Sequence, residues 1–481
     1  MYYTFLGHQT WLIEDGETKI LLDPLLLDTF GVEKNFGIEV VPPRQIDINY
    51  LQDISAIIIS HEHSDHFHLP SLNLLPKHVP IYVGVLTLFP VINALERLDF
   101  TVITVNSMET VNIGSLSARF YQAHPKTVLW ESRVYQVLIT SAINQFSMFI
   151  AVDALISRDF EQEVKQGQIP KPNSIMVSNN SQIPPPGVIG ALDNAMVPQR
   201  ENKNRCGPVG LGLIRGILVN YSDMIADLRH IVLCGGGFMK SADTFGEFMM
   251  SNQSRVAALA EPLHPDKTII GALPGMRYRD DTCDCHEVAW IKPDDSRKEQ
   301  LKLKYKSFLS NPSWSLKSLC HSIENEVGDF RQNCKLIISV FEKKHRHIVC
   351  SEFGRILLSY DDYANLFEME LLSQSNSKRR RYAYNPISGA FSIIPDTAPP
   401  LLFGIRAMAL DLAAVILGKV QIWDIAGLSI ISWYSKALGS SIRCSPMGLL
   451  YSVLGEHFNV NIYNDICHRN VDQLLIEERA S

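Results

Sequence analysis

The sequence lacks a surplus of positive charge, a long uninterrupted apolar run and a secretory leader. Its 44 lysines and arginines are outnumbered by 51 aspartates and glutamates, for a formal net charge of −7, whereas proteins that track nucleic-acid phosphates usually carry a basic excess. The most apolar stretch, residues 399–433, is interrupted by charged residues, which favours buried helices over a membrane span. Residues 1–30 show no basic segment followed by an apolar one. We therefore expect no nucleic-acid partner and no integral membrane span.

Cysteine is sparse and mostly scattered. Nine cysteines occur in 481 residues, and apart from Cys283-Asp-Cys285-His286 they show no metal-binding or disulfide spacing. This usage is typical of reduced thiols and predicts a cytoplasmic location. No serine–histidine–aspartate or reactive-cysteine arrangement competes for a catalytic role. So few and scattered cysteines argue against a secreted scaffold stabilised by disulfides. The residues that carry a catalytic function are therefore expected among other side chains.

Length and composition predict two globular domains. The chain has 481 residues, more than one domain usually contains, and 46% of them are hydrophobic. A charged segment follows residue 293, so we predict one domain over 1–293 and a C-terminal α/β domain over 294–481. In the second we expect helices over Leu316–Phe330 and Ala407–Leu417 and strands over Lys335–Phe341 and Ile387–Ile394. The Pro/Gly-rich piece over 183–213 is predicted to be a lid or substrate rim.

A dense group of metal-binding side chains occupies residues 61–66, which read His-Glu-His-Ser-Asp-His. Four potential ligands within six residues are too many to explain as packing, and imidazole with carboxylate suits Zn²⁺, Fe or Mn²⁺. The apolar run Ile54–Ser60 directly before them predicts a buried parallel strand. The group therefore begins at the C-terminal end of a strand, where layered α/β folds place their sites.

The spacing of this group resembles the second motif of the metallo-β-lactamase superfamily. The resemblance implies an αββα sandwich with metals at one edge for residues 1–293. It implies that His61 and His63 bind a first metal, while Asp65 and His66 serve a second. We predict two divalent ions, zinc or iron, with manganese also compatible.

Further positions fit the ordered motifs of that superfamily. By resemblance, Asp23 in Leu-Leu-Asp-Pro orients a ligand histidine, and Asp23 and Asp65 are the candidate catalytic carboxylates. His124 completes a three-imidazole first site, and Asp153, after an apolar strand, bridges the metals. Each position also has an ordinary structural interpretation: a turn aspartate, a strand-end histidine and a helix N-cap, respectively.

The fifth motif departs from the superfamily pattern. A final histidine is expected after the strand Thr268–Gly271, but Ala272-Leu-Pro stands there. His264, before that strand, is the candidate seventh ligand, and a turn position is its alternative. The second metal site is therefore expected to be weakened, differently ligated or empty.

Two finer resemblances extend the first. Leu6-Gly-His-Gln-Thr, Leu-Leu-Asp23-Pro and the Gly-rich turn after Leu233 are similar to the branch that holds the ascorbate-phosphate lactonase and the N-acyl phosphatidylethanolamine phospholipase. The segments beginning at Gly418 and Ser432 are similar to the region that follows this fold in CMP-sialic-acid hydroxylase-like proteins. Those relatives carry a Rieske cluster, and the paired Cys/His boxes that bind it are absent from this sequence.

Together these features predict a metallo-hydrolase. A metal-bound hydroxide would attack an ester, lactone, amide or phosphodiester in a small-molecule or lipid-like substrate. A dinuclear-iron oxygenase that activates O₂ is the first alternative, because ligands of this type do not separate iron from zinc. A metal-weakened binding module is the second. A homo-oligomer is compatible with the sequence.

Overall fold

The computed structural model describes most of the N-terminal half and separate parts of the C-terminal half. The described residues are 1–31, 38–125, 127, 132–178, 230–235, 253–280, 282, 284–300, 303, 316, 318, 320, 324–359, 367–420, 422, 425, 429–434, 447–454 and 460–480. The predicted lid over 183–213 lies outside them. Within them, no helix is both long and apolar enough to cross a membrane.

Two sheets stack face to face in the N-terminal half. In spatial order, the first contains β18 (Cys285–Glu287), β17 (Met276–Arg279), β1 (Tyr2–Gly7), β2 (Thr10–Asp15), β3 (Thr18–Leu22), β7 (Ala56–Ile59), β8 (Ile81–Gly84) and β9 (Val102–Val105). The second contains β10 (Thr110–Ile113), β11 (Leu116–Gln122), β12 (Tyr135–Ser141), β13 (Ser147–Ile150), β14 (Ser174–Ser178), β15 (His230–Cys234) and β16 (Thr268–Gly271). Two short ribbons border them: β4 (Thr29–Phe30) with β5 (Ile38–Glu39), and β6 (Arg44–Ile46) with β19 (Ile291–Pro293).

Apolar side chains on both faces of each sheet produce four layers. Between the sheets lies one core, in which Trp11, Phe120 and Tyr135 are almost fully buried. Helices cover the outer faces: α1 (Leu69–Leu72) and α2 (Phe89–Arg97) on the first sheet, and α3 (Arg158–Lys165) and α4 (Gln253–Ala260) on the second. Because both of its faces are covered, β7 reads as a continuous apolar run with all four residues buried. This is the predicted αββα sandwich.

The C-terminal half contains a third sheet with helices, as predicted. Its spatial order is β22 (Phe391–Ile394), β21 (Arg379–Tyr384), β20 (Phe367–Leu372), β23 (Phe403–Met408) and β24 (Ile430–Tyr434). The helices are α5 (Glu324–Val327), α6 (Phe330–Lys343), α7 (His345–Cys350), α8 (Glu352–Leu358), α9 (Ala409–Ile416), α10 (Met447–Leu454) and α11 (Val460–Ala480). Side chains of β20, α6, α9 and α10 share one apolar core.

Three predictions in this half need correction. The helix predicted over Leu316–Phe330 is reduced, among the described residues, to α5 (Glu324–Val327), because residues 316, 318, 320, 328 and 329 are not helical. Residues 335–341 are not a strand but the middle of α6. Asp329 begins that helix with a reciprocal capping pair to Gln332, and the buried residues Cys334, Ile337 and Phe341 fall on one face at helical spacing. The predicted strand over 387–394 shortens to β22, because a turn occupies the residues before it. The helix predicted over Ala407–Leu417 is confirmed as α9.

The last helix leaves the C-terminal sheet and packs on the N-terminal sandwich. Tyr463, Cys467 and Val471 of α11 belong to the apolar core outside the first sheet. Arg97 of α2 contacts the carboxylate of Asp472 at 2.5 Å. The domain boundary at residue 293 stays a prediction, and the last helix of the chain packs against the N-terminal sandwich.

Candidate metal centre

The candidate site residues, which include His8 in addition to the predicted ones, follow strands that run in the same direction. β1, β3 and β7 point the same way in the first sheet, as do β11 and β13 in the second. The loops that follow these strands carry His8, Asp23, His61, His124 and Asp153, in that order. Topology therefore delivers groups up to 145 positions apart to one edge of the sandwich.

Two groups of three side chains form at this edge. His61, His63 and Asp153 make one, and the second consists of His8, Asp65 and His66. Within each group the nitrogen and carboxylate oxygen atoms that could bind an ion lie within 4.8 Å of one another. The groups adjoin, because His66 Nε2 is 3.1 Å from Asp153 Oδ2. Asp153 therefore lies between them.

A buried carboxylate orients two of the imidazoles. Asp23 Oδ2 accepts hydrogen bonds from Ser60 Oγ and from His66 Nδ1, both at 2.7 Å, while Asp23 Oδ1 accepts from Ser60 N at 2.7 Å. Since the single hydroxyl proton of Ser60 goes to Asp23, Ser60 Oγ must accept from His61 Nδ1, 2.9 Å away. Both histidines thus carry a proton on Nδ1, and the Nε2 atom of each is directed at the site, where it can bind an ion once it carries no proton.

Burial and neighbouring charges together set the pKa values of these groups. Burial, followed by the neighbouring His66 and His63, lowers the pKa of His61 well below its ordinary value. Burial also lowers the pKa of His66, but Asp65, Asp153 and Asp23 together raise it well above that value. The pKa values of Asp65 and Asp153 are lowered, despite burial, chiefly by His66. Without a bound ion, the carboxylates of Asp65 and Asp153 therefore favour the charged form of His66.

One glutamine on β12 holds the loop that carries Asp153. The amide of Gln136 donates to three carbonyls, those of Ala151, Ala154 and Leu155, at 2.7, 3.2 and 3.1 Å. Its oxygen accepts from Ser157 N at 2.7 Å. All four of these side-chain hydrogen bonds of Gln136 are made with this one loop.

That loop is also strained. Val152 has a φ of 50°, a conformation that a β-branched residue rarely adopts. The Asp153 side chain itself accepts from Gln9 Nε2 at 3.3 Å. The surrounding hydrogen bonds therefore hold this carboxylate in place against a local backbone preference.

His8 is absent from the ligands predicted above. Its Nε2 lies 2.7 Å from Asp65 Oδ2, and it occupies a turn with a φ of 54°. Gly7 before it has a φ of 116°, and a Cβ there would lie 2.8 Å from the buried side chain of Arg44. Arg44 in turn donates to the carbonyl of Leu6 at 2.9 Å. The signal in the sequence is a Gly-His pair at a strand end on the edge that also carries His61.

The other two predicted ligands belong to neither group. His124 is half-buried after β11, where its N–H lies 3.4 Å from the carbonyl of Leu155, next to the Asp153 loop. His264 ends a short 3-10 turn before β16, and its backbone groups pair with Glu261 and Lys267. Ala272, which stands in the fifth-motif position, is buried in the core between the sheets. Roles for His124 and His264 stay predictions.

His68, which follows the group at residues 61–66, also lies outside both sets of possible ligands. It precedes α1 and is buried, and its Nδ1 pairs with Ser71 Oγ at 2.6 Å. Ser71 Oγ also accepts from Leu26 N at 2.8 Å. Burial, assisted by Arg44, lowers the pKa of His68 to about 4, so we interpret His68 as a neutral structural histidine.

The side chains present fit a divalent cation. His61 Nε2 is buried and has no hydrogen-bond partner among the described residues, which is costly for a polar atom unless something binds it. Each group offers two imidazoles and one carboxylate, a donor set that zinc and iron both accept. The edge thus has the composition, charge and preorganised lone pairs of a metal centre.

Comparison with known proteins agrees with this geometry. Residues 2–138 match the model of the family described as "Beta-lactamase superfamily domain". No curated protein sequence matches the chain. The match covers residues 2–138 and does not distinguish a branch of the superfamily.

Solved structures with the metallo-β-lactamase fold resemble the chain at low identity. A possible metal-dependent hydrolase from Veillonella parvula is 16% identical, with a TM-score of 0.39, covering 58% of this chain and 98% of that one. An isothiocyanate hydrolase from Delia radicum gut bacteria is 14% identical, with a TM-score of 0.40, covering 58% and 99%. The diiron β-hydroxylase CmlA from Streptomyces venezuelae is 14% identical, with a TM-score of 0.35, covering 60% and 54%. Similarity at this level gives no information on the reaction.

Proposed function

We propose that the chain is a metal-dependent hydrolase, because residues 2–138 match the family described as "Beta-lactamase superfamily domain". Its substrate would be an ester, lactone, amide or phosphodiester of a small or lipid-like molecule. The supporting observation is the pair of adjoining His/His/Asp groups at one edge of the sandwich. Asp23 fixes the Nδ1 protons of His66 and, through Ser60, of His61, so that the Nε2 atoms of both rings face the site.

The two groups would hold one ion each. His61, His63 and Asp153 form the first set. His8, Asp65 and His66 form the second, with His8 in place of the histidine that the fifth motif lacks. Both Asp153 oxygens have partners on different sides: Oδ2 lies near His66 and Oδ1 accepts from Gln9. A bridging role for Asp153 follows from that position, and His124 remains a candidate additional ligand.

Divalent ions in such a site lower the pKa of bound water towards about 7 and polarise a carbonyl or phosphoryl oxygen. The protein's own residues prepare for this. Asp23 keeps the Nδ1 protons of its histidines directed away from the ions. Asp65 has a pKa held far below its usual range, so it acts as a negatively charged ligand and not as a proton donor. The proton on His66 must leave when its Nε2 binds.

A dinuclear-iron oxygenase is the second candidate. Each group contains two histidines and one carboxylate, the donor set of many non-haem iron enzymes that activate O₂. The same set occurs in zinc hydrolases, so metal identity separates the two proposals.

Elemental analysis of the purified chain, prepared in air and without oxygen, is the first test. Zinc near two equivalents, together with turnover of ester, lactone or phosphodiester probes, supports the hydrolase. Two irons with an O₂-sensitive absorption band support the oxygenase. No bound metal in either preparation would leave the binding module as the surviving hypothesis.

The site assignment needs variants. Replacing His61 and Asp65 together with alanine should remove metal while the chain stays folded by circular dichroism. His78→Ala is the matched control, because His78 is exposed before β8, at the opposite edge of the sheet. Unchanged metal content in the double variant would contradict the assignment.

A further inference from the structure

A side chain of the C-terminal helix forms a hydrogen bond with the backbone between the first two predicted ligands. Glu62 stands between His61 and His63, and its carbonyl accepts a buried hydrogen bond of 3.2 Å from Tyr463 Oη. The two residues are 401 positions apart. The ring of Tyr463 is buried in the apolar core outside the first sheet. A side chain from the last helix therefore reaches the backbone of the metal-binding loop.

The helix that presents this hydroxyl is fixed on α2 by polar contacts as well as by its apolar face. Asn93 Nδ2 donates to Asn464 Oδ1 at 3.1 Å, and Arg97 Nη1 donates to the carbonyl of His468 at 3.3 Å. A hydroxyl carried by a packed helix has less positional freedom than one on a loop. Tyr463 can thus act as a rigid reference point for the loop.

Glu62 is held from a second direction. Its carboxylate forms an ion pair with the guanidinium of Arg133, which lies just before β12 of the other sheet. The following turn is closed by the carbonyl of His63, which accepts from the amides of His66 and Phe67 at 2.9 and 2.7 Å. The Glu62 carbonyl belongs to the 62–63 peptide, so its hydrogen bond with Tyr463 restrains the orientation of that peptide plane.

We propose that Tyr463 is a positioning residue of the metal centre, so that α11 is part of the site. It acts through the Glu62 carbonyl on the directions in which His61 and His63 leave the backbone. The inference rests on the proposed function. Metal sites tolerate ligand displacements of only about 0.5 Å, and rotating this peptide would move both imidazoles. A purely structural role would instead confine the effect of the hydroxyl to folding stability.

Tyr463→Phe removes the hydroxyl and keeps the ring in its core. In the full chain we expect the affinity for Zn²⁺, measured by competition with a chromophoric chelator, to fall about threefold to tenfold, the range for one hydrogen bond. In metal-free protein, hydrogen exchange at the amides of residues 61–67 should accelerate. Asp472→Asn is the control, because it disturbs an exposed ion pair of the same helix without touching the loop.

The outcomes separate this inference from the proposed function. Wild-type affinity and exchange in Tyr463→Phe, with only a lower melting temperature, would overturn the positioning role. Equal losses of zinc affinity in Asp472→Asn would also overturn it, because helix docking would then explain the effect. If the unaltered chain binds no metal, the proposed function fails, and the exchange rates of the metal-free loop alone decide whether Tyr463 positions it.

Discussion

Replacing Asp23 with asparagine should reverse the tautomer of His66. The carboxylate now accepts three hydrogen bonds of 2.7 Å, two of them on Oδ2 from Ser60 Oγ and His66 Nδ1. If the amide oxygen stays opposite Ser60 N, the amide nitrogen faces His66 Nδ1. Two donors cannot share that contact, so the His66 proton must move to Nε2, where it blocks the metal.

The size of the effect follows from the number of contacts inverted. Loss of a group that orients a metal-binding histidine typically weakens metal binding 10- to 100-fold, or about 1.4 to 2.7 kcal/mol. The opposite amide orientation leaves Ser60 N facing a donor in a fully buried position, at a cost of about 1–3 kcal/mol to the free energy of unfolding. Either orientation therefore produces a measurable loss.

The assay is zinc competition against a chromophoric chelator at neutral pH, with melting temperatures of the metal-free proteins measured in parallel. Asp15→Asn is the matched control. Asp15 is also buried and accepts from Ser141 Oγ at 2.8 Å, but it lies at the far end of the β2–β3 hairpin. It should lose stability without losing zinc affinity. An Asp23→Asn protein that binds zinc as tightly as the unaltered chain would refute the tautomer assignment.

Three further predictions address other parts of the site. His8→Ala should reduce bound metal from two equivalents per chain towards one by elemental analysis, and two retained equivalents would exclude His8 as a ligand. Burial, assisted by Arg44, lowers the pKa of His68 to about 4. The unfolded chain therefore takes up that proton first, and about 3 kcal/mol of stability should be lost as pH falls from about 6.5 to 4. The His68→Gln variant should not show that loss when its free energy of unfolding is measured by denaturant titration at the two pH values. An unchanged dependence of that free energy on pH would refute the assignment to His68. Gln136→Leu leaves carbonyls of the Asp153 loop without their donor, so both the melting temperature and metal retention should fall, and a loss of stability alone would make Gln136 structural.

Much of the sandwich could be predicted from local pattern. The run Ile54–Ser60 predicted β7 and the apolar segment before Asp153 predicted β13, because strands covered on both faces must be apolar throughout. The same rule misled at residues 335–341. There a β-branched run lies inside α6, and its helical period is visible only together with the cap at Asp329. Short apolar runs do not distinguish helix from strand on their own.

The candidate site divides in the same way. The spacing of His61, His63, Asp65 and His66 within one loop is a property of the sequence, and so is the strand-end position of Asp153. The pairing of those residues into two groups is not. That pairing depends on the distance between the edges of the two stacked sheets, which no local sequence pattern encodes.

Sequence alone determined the chemical type of this protein: histidine and carboxylate ligands concentrated after a buried strand, in a chain without the features of competing classes. Only the tertiary structure decided which side chains complete the centre. His8 enters because β1 ends at the same edge as β7, and Tyr463 enters because the last helix folds back onto the first sheet. Such contacts arise from the packing of distant elements, so their partners cannot be read from neighbouring residues.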